Sequence, residues 1–252
     1  MADKLTVNDL QEMKRQGKKI CATVVYDPQM TQMMERAGAD LLSVGDSLGR
    51  VFLAHTEEGA FTVDEMIPFC RAVAKTAKRA VVNCDMPGST VSRGPEFCAE
   101  SAKRLAGVGA ETVKTDIRSD MDGLFDRVTA VVKAGVKVYP QIGHADFRQR
   151  WGGPDAIKIL VAKAKQLEDV GASIIDLTGV TPEVYGAVAQ AVKIPVIGGQ
   201  ATKDADGKIY VSYALVGYNG ANLDQEGDAP NTAKYILNVA QKALADVRSG
   251  NF

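Results

Sequence analysis

The sequence predicts a (β/α)8 barrel of the TIM type, a single domain over residues 1–252 with a C-terminal helix. Three observations predict it. Short Val- and Ile-rich segments alternate with longer amphipathic ones, the pattern of parallel strands joined by crossover helices. Seven clear strands and a weaker eighth fit within 252 residues, the size of such a barrel. The rival doubly wound sheet would carry a Gly-rich dinucleotide fingerprint after its first strand, where TVVYDPQ stands instead.

The elements follow in order. ICATVVYD is the first strand, and the amphipathic run from Gln29 to Gly38 is its helix. DLLSVGDS, a long connection and the run Val63 to Lys78 make the second unit. AVVNCDMP leads to Pro95–Gly109, ETVKTD to Met121–Gly135, VKVYPQIG to Pro154–Gly171, and SIIDLTG to Pro182–Val192. IPVIGGQ is the seventh strand, and KIYVSYALVG around Ile209 the weaker eighth. ERAGAD, LAGVGAE, VKAGVK and EDVGAS join helix to strand through a glycine that tolerates the left-handed conformation. Asn231 to Val247 reads as a terminal amphipathic helix, a kind of segment that often serves assembly.

Composition bounds the function. With 46% hydrophobic and 24% charged residues the chain resembles ordinary soluble proteins. A formal net charge of -1, with mixed signs along the chain, supplies neither a basic stripe for nucleic acid nor a polybasic patch for a membrane. A small-molecule substrate is the expectation. The polar start MADKLTVNDLQEMKRQGKK has no signal-peptide core and no run of apolar residues is long enough to span a bilayer, so a cytoplasmic protein is expected. Cys21, Cys70, Cys84 and Cys98 lack CxxC spacing and a nearby histidine, so they read as buried reduced thiols.

In these barrels the C-terminal strand ends face the active site. Asp46, Asp85 and Asp116 each close a strand, which would bring three carboxylates to one mouth. Hard oxygen donors suit magnesium, which needs only one or two direct carboxylates and keeps several waters. Helix capping is the alternative for each. Lys114 lies two residues before Asp116 and so shares its strand face, as a substrate-holding cation or as a structural ion-pair partner. Tyr26 either lines the site or packs beneath the first loop, and Asp27 is placed to cap the first helix. His55 reads as structural or as part of a lid, GGQAT as a tight turn or a place of close approach to substrate, and DADGK as a hairpin turn.

VGDSLG, then TVDEMIPFCRAVAK, NCDMP, TVKTD and IPVIGGQATKDADGKIYV, in that order, resemble the ketopantoate hydroxymethyltransferase family. The likeness runs from about Lys19 to Gly217. That family belongs with the magnesium-dependent phosphoenolpyruvate mutase and isocitrate lyase barrels that act on 2-oxo acids. The resemblance implies Mg2+ at Asp46 and Asp85, with Asp116 where the family usually carries glutamate. It implies that Ser47, beside Asp46, helps hold the substrate carboxylate and that Lys114 contacts substrate. The implied chemistry is enolisation of 3-methyl-2-oxobutanoate and hydroxymethyl transfer from 5,10-methylenetetrahydrofolate, on the route to pantothenate. A homo-oligomer, a decamer, is implied by resemblance as well.

Departures accompany the matches. Thr178 stands where the family places a proton-handling glutamate, and threonine is no general base. Asp176 is two residues earlier on the same strand face, deeper in the core. Gln141 replaces the family's histidine on the fifth strand, with His144 three residues on. The loop ADFRQRWGG introduces Arg148, Arg150 and Trp151, either a receptor for a second carboxylate or a solvated loop with a packed tryptophan. A KKCGH-like motif of the lyase branch is absent. The departures leave open a magnesium-dependent aldolase or lyase for another 2-oxo acid, without folate.

Overall fold

A computed structural model describes residues 3–57, 59–146 and 148–251. Eight parallel strands close into a barrel in sequence order. The chain enters through helix α1 (Val7–Arg15), then β1 (Ile20–Val24), α2 (Pro28–Arg36) and β2 (Leu41–Val44). A short α3 (Leu48–Phe52) and α4 (Val63–Thr76) precede β3 (Val81–Asp85), and α5 (Gly88–Val91) and α6 (Pro95–Gly107) precede β4 (Thr112–Asp116). Then come α7 (Phe125–Lys133), β5 (Val138–Gly143), α8 (Gly153–Val170), β6 (Ile175–Thr178) and α9 (Pro182–Ala191). β7 (Val196–Gly198) and β8 (Gly207–Val211) complete the ring, which closes where Ile20 N donates to Asp206 O at 2.9 Å.

The strands are short, and most of their residues are buried. Helices cover them outside and side chains fill them inside, so the sequence shows apolar runs rather than simple alternation. Leu41, Val81, Val113, Val138, Ile175 and Val196 belong to the apolar core. Ser43, Asn83, Thr112, Gln141, Asp176 and Thr178 are buried among them, polar where Val, Ile or Leu usually fill a barrel. Gly143 has φ of 122°, and a Cβ there would lie 1.9 Å from Thr178 O. Only glycine lets β5 and β6 approach this closely where the barrel opens.

The structure differs from the sequence expectations in five places, one being KIYVSYALVG, whose strand ends at Val211 and whose Ser212–Leu215 stretch is helical. The polar start forms α1, closed by a Thr6–Asp9 capping box. It covers the N-terminal end of the barrel: Val7 and Leu10 are buried, Gln11 donates to Ser173 O, and Lys14 donates to Ala189 O and Ile194 O and pairs with Asp206 at 2.8 Å. The expected helix from Met121 begins at Phe125, because Asp120 Oδ1 accepts from Gly123 N and folds that stretch into a turn. DADGK is no hairpin, since β7 and β8 are parallel and the connection crosses over without a helix. Asp206 secures it by accepting from Val196 N at 2.8 Å. All four cysteines are free, yet Cys21 is exposed while Cys70, Cys84 and Cys98 are buried.

The chain divides into two compact units, the second beginning at Tyr210. That unit holds α10 (Ser212–Leu215), a 3-10 turn (Gly220–Asn222) and α11 (Thr232–Ser249). Asn231 caps α11 by accepting from Lys234 N and donating to Asn222 O. Thr232 Oγ1 donates to Val216 O, tying the start of α11 to the end of α10. Among the described residues no helix is long and apolar enough to cross a membrane.

Candidate active site

Polar side chains from β2 to β6 form two hydrogen-bonded groups inside the barrel, joined through Lys114. On one side, Ser43 Oγ donates to Asp85 Oδ1 at 2.9 Å and Asn83 Nδ2 donates to the same oxygen at 2.8 Å. Thr112 Oγ1 donates to Asn83 Oδ1, which fixes the amide's orientation. On the other side, Gln141 Nε2 donates to Thr178 Oγ1 at 3.0 Å, and Thr178 Oγ1 donates to Asp176 Oδ1 at 3.0 Å. Lys114 Nζ lies 2.6 Å from Asp85 Oδ2 and 3.6 Å from Asp176 Oδ2. Strand register explains the meeting, because Asp85 pairs with Lys114 across β3 and β4, and Gln141 with Asp176 across β5 and β6.

The electrostatics follow from burial and from these neighbours. Burial alone would favour neutral Lys114, but Asp85, Asp176 and Asp46 outweigh it and hold the ammonium well above the ordinary lysine range. Burial raises the Asp176 carboxyl above the usual carboxylate range, with Lys114 pulling the other way. Asp46 reaches solvent at the mouth, yet surrounding protein strips enough of its water to raise its carboxyl, and Asp85 adds repulsion. Lys114 is therefore a fixed cation, and Asp46 and Asp176 bind protons more readily than free carboxylates do.

Above the strand ends lies a cavity of about 810 Å³, with Asp46, Ser47, Arg50, His55, Asp116 and Arg118 in its wall. Its size falls within the range of small-molecule sites. Tyr26 is fully buried under the first loop, its ring 5.1 Å from that of Phe52, and its hydroxyl meets Ser47 Oγ at 2.6 Å. Burial raises the Tyr26 phenol, so it stays protonated and polarises the serine as a neutral partner. Tyr26 thus takes the packed place beneath the first loop and meets the cavity only through Ser47. Asp27 caps α2 through Gln29 N and Met30 N.

Three carboxylates do not converge on one point. Among the described residues no group of three His, Cys, Asp or Glu side chains could hold a metal ion. Asp116 is gripped by Arg118, whose Nε donates at 2.9 Å to Oδ1 and whose Nη2 donates at 2.6 Å to Oδ2. That bidentate clamp occupies both oxygens. Asp46 is the carboxylate of the three that meets the cavity without such a clamp, and Asp85, held by Ser43, Asn83 and Lys114, lies near enough to raise the Asp46 carboxyl, a charge conflict that a divalent cation relieves. Asp46 with Asp85 behind it fits magnesium, which needs only one or two direct carboxylates and grips others through water.

The remaining sequence candidates take structural places. His55 pairs with Glu65 at 2.9 Å while lining the cavity. His144 is half-buried, with Nδ1 held 3.1 Å from Asp146 N. Arg148 is 80% exposed and pairs with Asp146. Trp151 N donates to Gly179 O and Trp151 O accepts from Thr181 N, so the tryptophan anchors its loop to the connection after β6. Among the described residues the arginines in the cavity wall are Arg50 and Arg118, not those of the 145–153 loop. Phe147 of that loop and Glu58 of the connection after β2 lie outside the described residues. Gly198 of GGQAT is required by packing, since a Cβ would sit 2.1 Å from Leu177 O. Sequence reading missed the Arg118 clamp, although Asp116 and Arg118 stand two residues apart in TDIR.

Comparison with known proteins agrees with this architecture. Residues 4–252 match the family profile described as ketopantoate hydroxymethyltransferase. A 3-methyl-2-oxobutanoate hydroxymethyltransferase of Caldicellulosiruptor saccharolyticus is 33% identical, over 99% of this chain and 97% of the relative. Among solved structures, 2,3-dimethylmalate lyase, a PEP mutase/isocitrate lyase superfamily member, superposes with a TM-score of 0.67 at 15% identity, over 98% of this chain and 89% of the other. A phosphonopyruvate hydrolase complex with oxalate and Mg++ gives a TM-score of 0.65 at 14% identity, over 98% and 88%. At such identities the two structures speak to the fold alone. The sequence match extends across both units, and the chain belongs to the ketopantoate hydroxymethyltransferase family.

Proposed function

We propose that this chain enolises 3-methyl-2-oxobutanoate and transfers a hydroxymethyl group to it from 5,10-methylenetetrahydrofolate. The observation that carries the reading is Lys114, a buried cation held between Asp85 and Asp176 inside the barrel of a hydroxymethyltransferase family member. Ser47 binds one substrate carboxylate oxygen, and Tyr26 acts behind it, its phenol holding the serine hydroxyl in place. Asp46 and Asp85 are the residues to hold magnesium, which supplies Lewis acidity to the 2-oxo acid oxygens when bound. A phosphonopyruvate hydrolase of the same fold holds oxalate and Mg++, which motivates magnesium here without naming its residues. Lys114 adds a charge that does not titrate near neutral pH, stabilising negative charge that develops on the enolate oxygen. Asp116 acts through Arg118, orienting a guanidinium toward the cavity.

The test is formation of ketopantoate by the purified chain with magnesium, 3-methyl-2-oxobutanoate and 5,10-methylenetetrahydrofolate, followed by mass spectrometry. Absence of product at substrate concentrations that saturate relatives would reject the transfer. A second reading, an aldolase or lyase acting on a different 2-oxo acid without folate, is favoured by one observation. Gln141 and Thr178 are hydrogen-bonded to each other at the place where the resemblance implies a histidine and a glutamate. A homo-oligomer is part of the proposal, supported by the apolar residues Tyr235, Ile236, Val239, Leu244 and Val247 along α11. Light scattering on the full chain measures it, and a monomeric mass would remove it.

A further inference from the structure

Threonine cannot hold a proton taken from carbon, so the site needs a base that sequence position alone does not name. Thr178 is the last residue of β6, at the open end of the barrel, and is 8% exposed. Its hydroxyl has a fixed polarity. Gln141 Nε2 donates to Oγ1 at 3.0 Å, and the hydroxyl proton points to Asp176 Oδ1 at 3.0 Å. Asp176 is 3% exposed, one strand position deeper on the same face, out of reach of a substrate at the mouth.

We propose that Asp176 is the proton acceptor for enolisation and that it acts through the Thr178 hydroxyl. The C3–H bond of the 2-oxo acid breaks and leaves its electron pair on carbon as the enolate. The departing proton bonds to Thr178 Oγ1 while the proton already on Oγ1 passes to Asp176 Oδ1. Thr178 therefore ends as a hydroxyl and Asp176 as a neutral acid, and the reverse passage returns the proton at the end of the cycle. Gln141 donates to Oγ1 throughout and steadies the partial negative charge on that oxygen as the two protons move. Thr178 and Gln141 touch the reacting groups, and Asp176 is the positioning residue that stores the proton.

The surroundings of Asp176 suit this task. Lys114 from β4 lies 3.6 Å from its second oxygen, Arg118 from the loop after β4 adds positive charge, and Asp85 from β3 opposes them. Tyr139 of β5 and Tyr185 of α9 face it as neutral phenols, their titration raised by burial. Burial wins, so the carboxyl takes up a proton more readily than an exposed aspartate does. A carboxyl of that kind is a stronger base, and Lys114 remains to balance the charge when it is ionised.

The inference rests on the proposed enolisation of a 2-oxo acid. The test measures magnesium-dependent exchange of the C3 proton of 3-methyl-2-oxobutanoate in deuterated buffer by proton NMR, as kcat, KM and pH profile. Thr178→Val and Asp176→Asn, both near-isosteric, should each lower kcat about 100-fold or more with KM changed by less than about threefold, and the double variant should be no slower than the slower single one. Thr178→Ser keeps the hydroxyl and should stay within about tenfold of the parent. Asp176→Asn should also erase the acidic limb of the kcat profile, which a purely structural role would leave in place. Exchange by Thr178→Val within about threefold of the parent, or an acidic limb retained in Asp176→Asn, overturns the relay while the 2-oxo acid reading stands. If the unaltered protein exchanges nothing, the enolisation reading falls and the relay falls with it.

Discussion

Replacing Lys114 with methionine tests the electrostatic centre of the barrel. The cation lies 2.6 Å from Asp85 and 3.6 Å from Asp176, with side-chain exposures of 13%, 3% and 4% for the three residues. Methionine keeps much of the volume and removes the charge, so two buried carboxylates lose their counter-ion together. Breaking a buried pair by removing one partner costs about 3 to 5 kcal/mol. With a urea slope of about 3 kcal/mol/M for a chain this long, the unfolding midpoint of the metal-free protein should fall by about 1 to 1.7 M at pH 8. The loss should depend on pH in a defined direction. Asp176 already has a raised folded-state pKa, and removing Lys114 raises it further, so the folded variant binds protons that the unfolded chain has released. Its stability must then fall as pH rises from about 4 through the raised value, and the gap to the parent should narrow by roughly half at pH 4.5. In the parent, Lys114 has a raised pKa, so its contribution is intact below about pH 10.4 and is lost only above that. Urea titrations followed by circular dichroism at pH 4.5 and 8 measure both effects. A midpoint within about 0.3 M of the parent at both pH values would refute the claim that Lys114 neutralises buried charge.

Three further outcomes are expected. Tyr26→Phe removes the hydrogen bond to Ser47 and should raise KM for the 2-oxo acid about fivefold, corresponding to about 1 kcal/mol, with little change in kcat. Asp46→Asn should weaken magnesium binding at least about tenfold by calorimetry, since it removes the charge of a carboxylate proposed to hold the metal. Gly143→Ala places a methyl against Thr178 O in a left-handed backbone and should destabilise the barrel by about 4 kcal/mol or more, read as lost thermal stability.

The barrel was legible because its strands and helices alternate with clear glycine joints, and seven strand segments fall where the structure places them. Asp27 as a cap and Lys114 as a same-face neighbour of Asp116 followed from local spacing. α1 was obscured because only Val7 and Leu10 of its face are fully buried, so a polar sequence hides its contact with the barrel floor. The Arg118 clamp and the Gln141–Thr178–Asp176 chain depend on side-chain direction and on register between strands far apart in sequence. Spacing within one strand can show a shared face, as it did for Thr178 and Asp176. It cannot show which way a hydroxyl points.

The central claim is that this barrel holds a 2-oxo acid and removes its C3 proton with the help of magnesium. Proton NMR of 3-methyl-2-oxobutanoate in deuterated buffer tests it most directly, comparing the full chain with magnesium to the same sample with excess chelator. The account predicts loss of the C3 signal at a rate proportional to protein with magnesium, and near background with chelator. An unchanged C3 signal in both samples would contradict it.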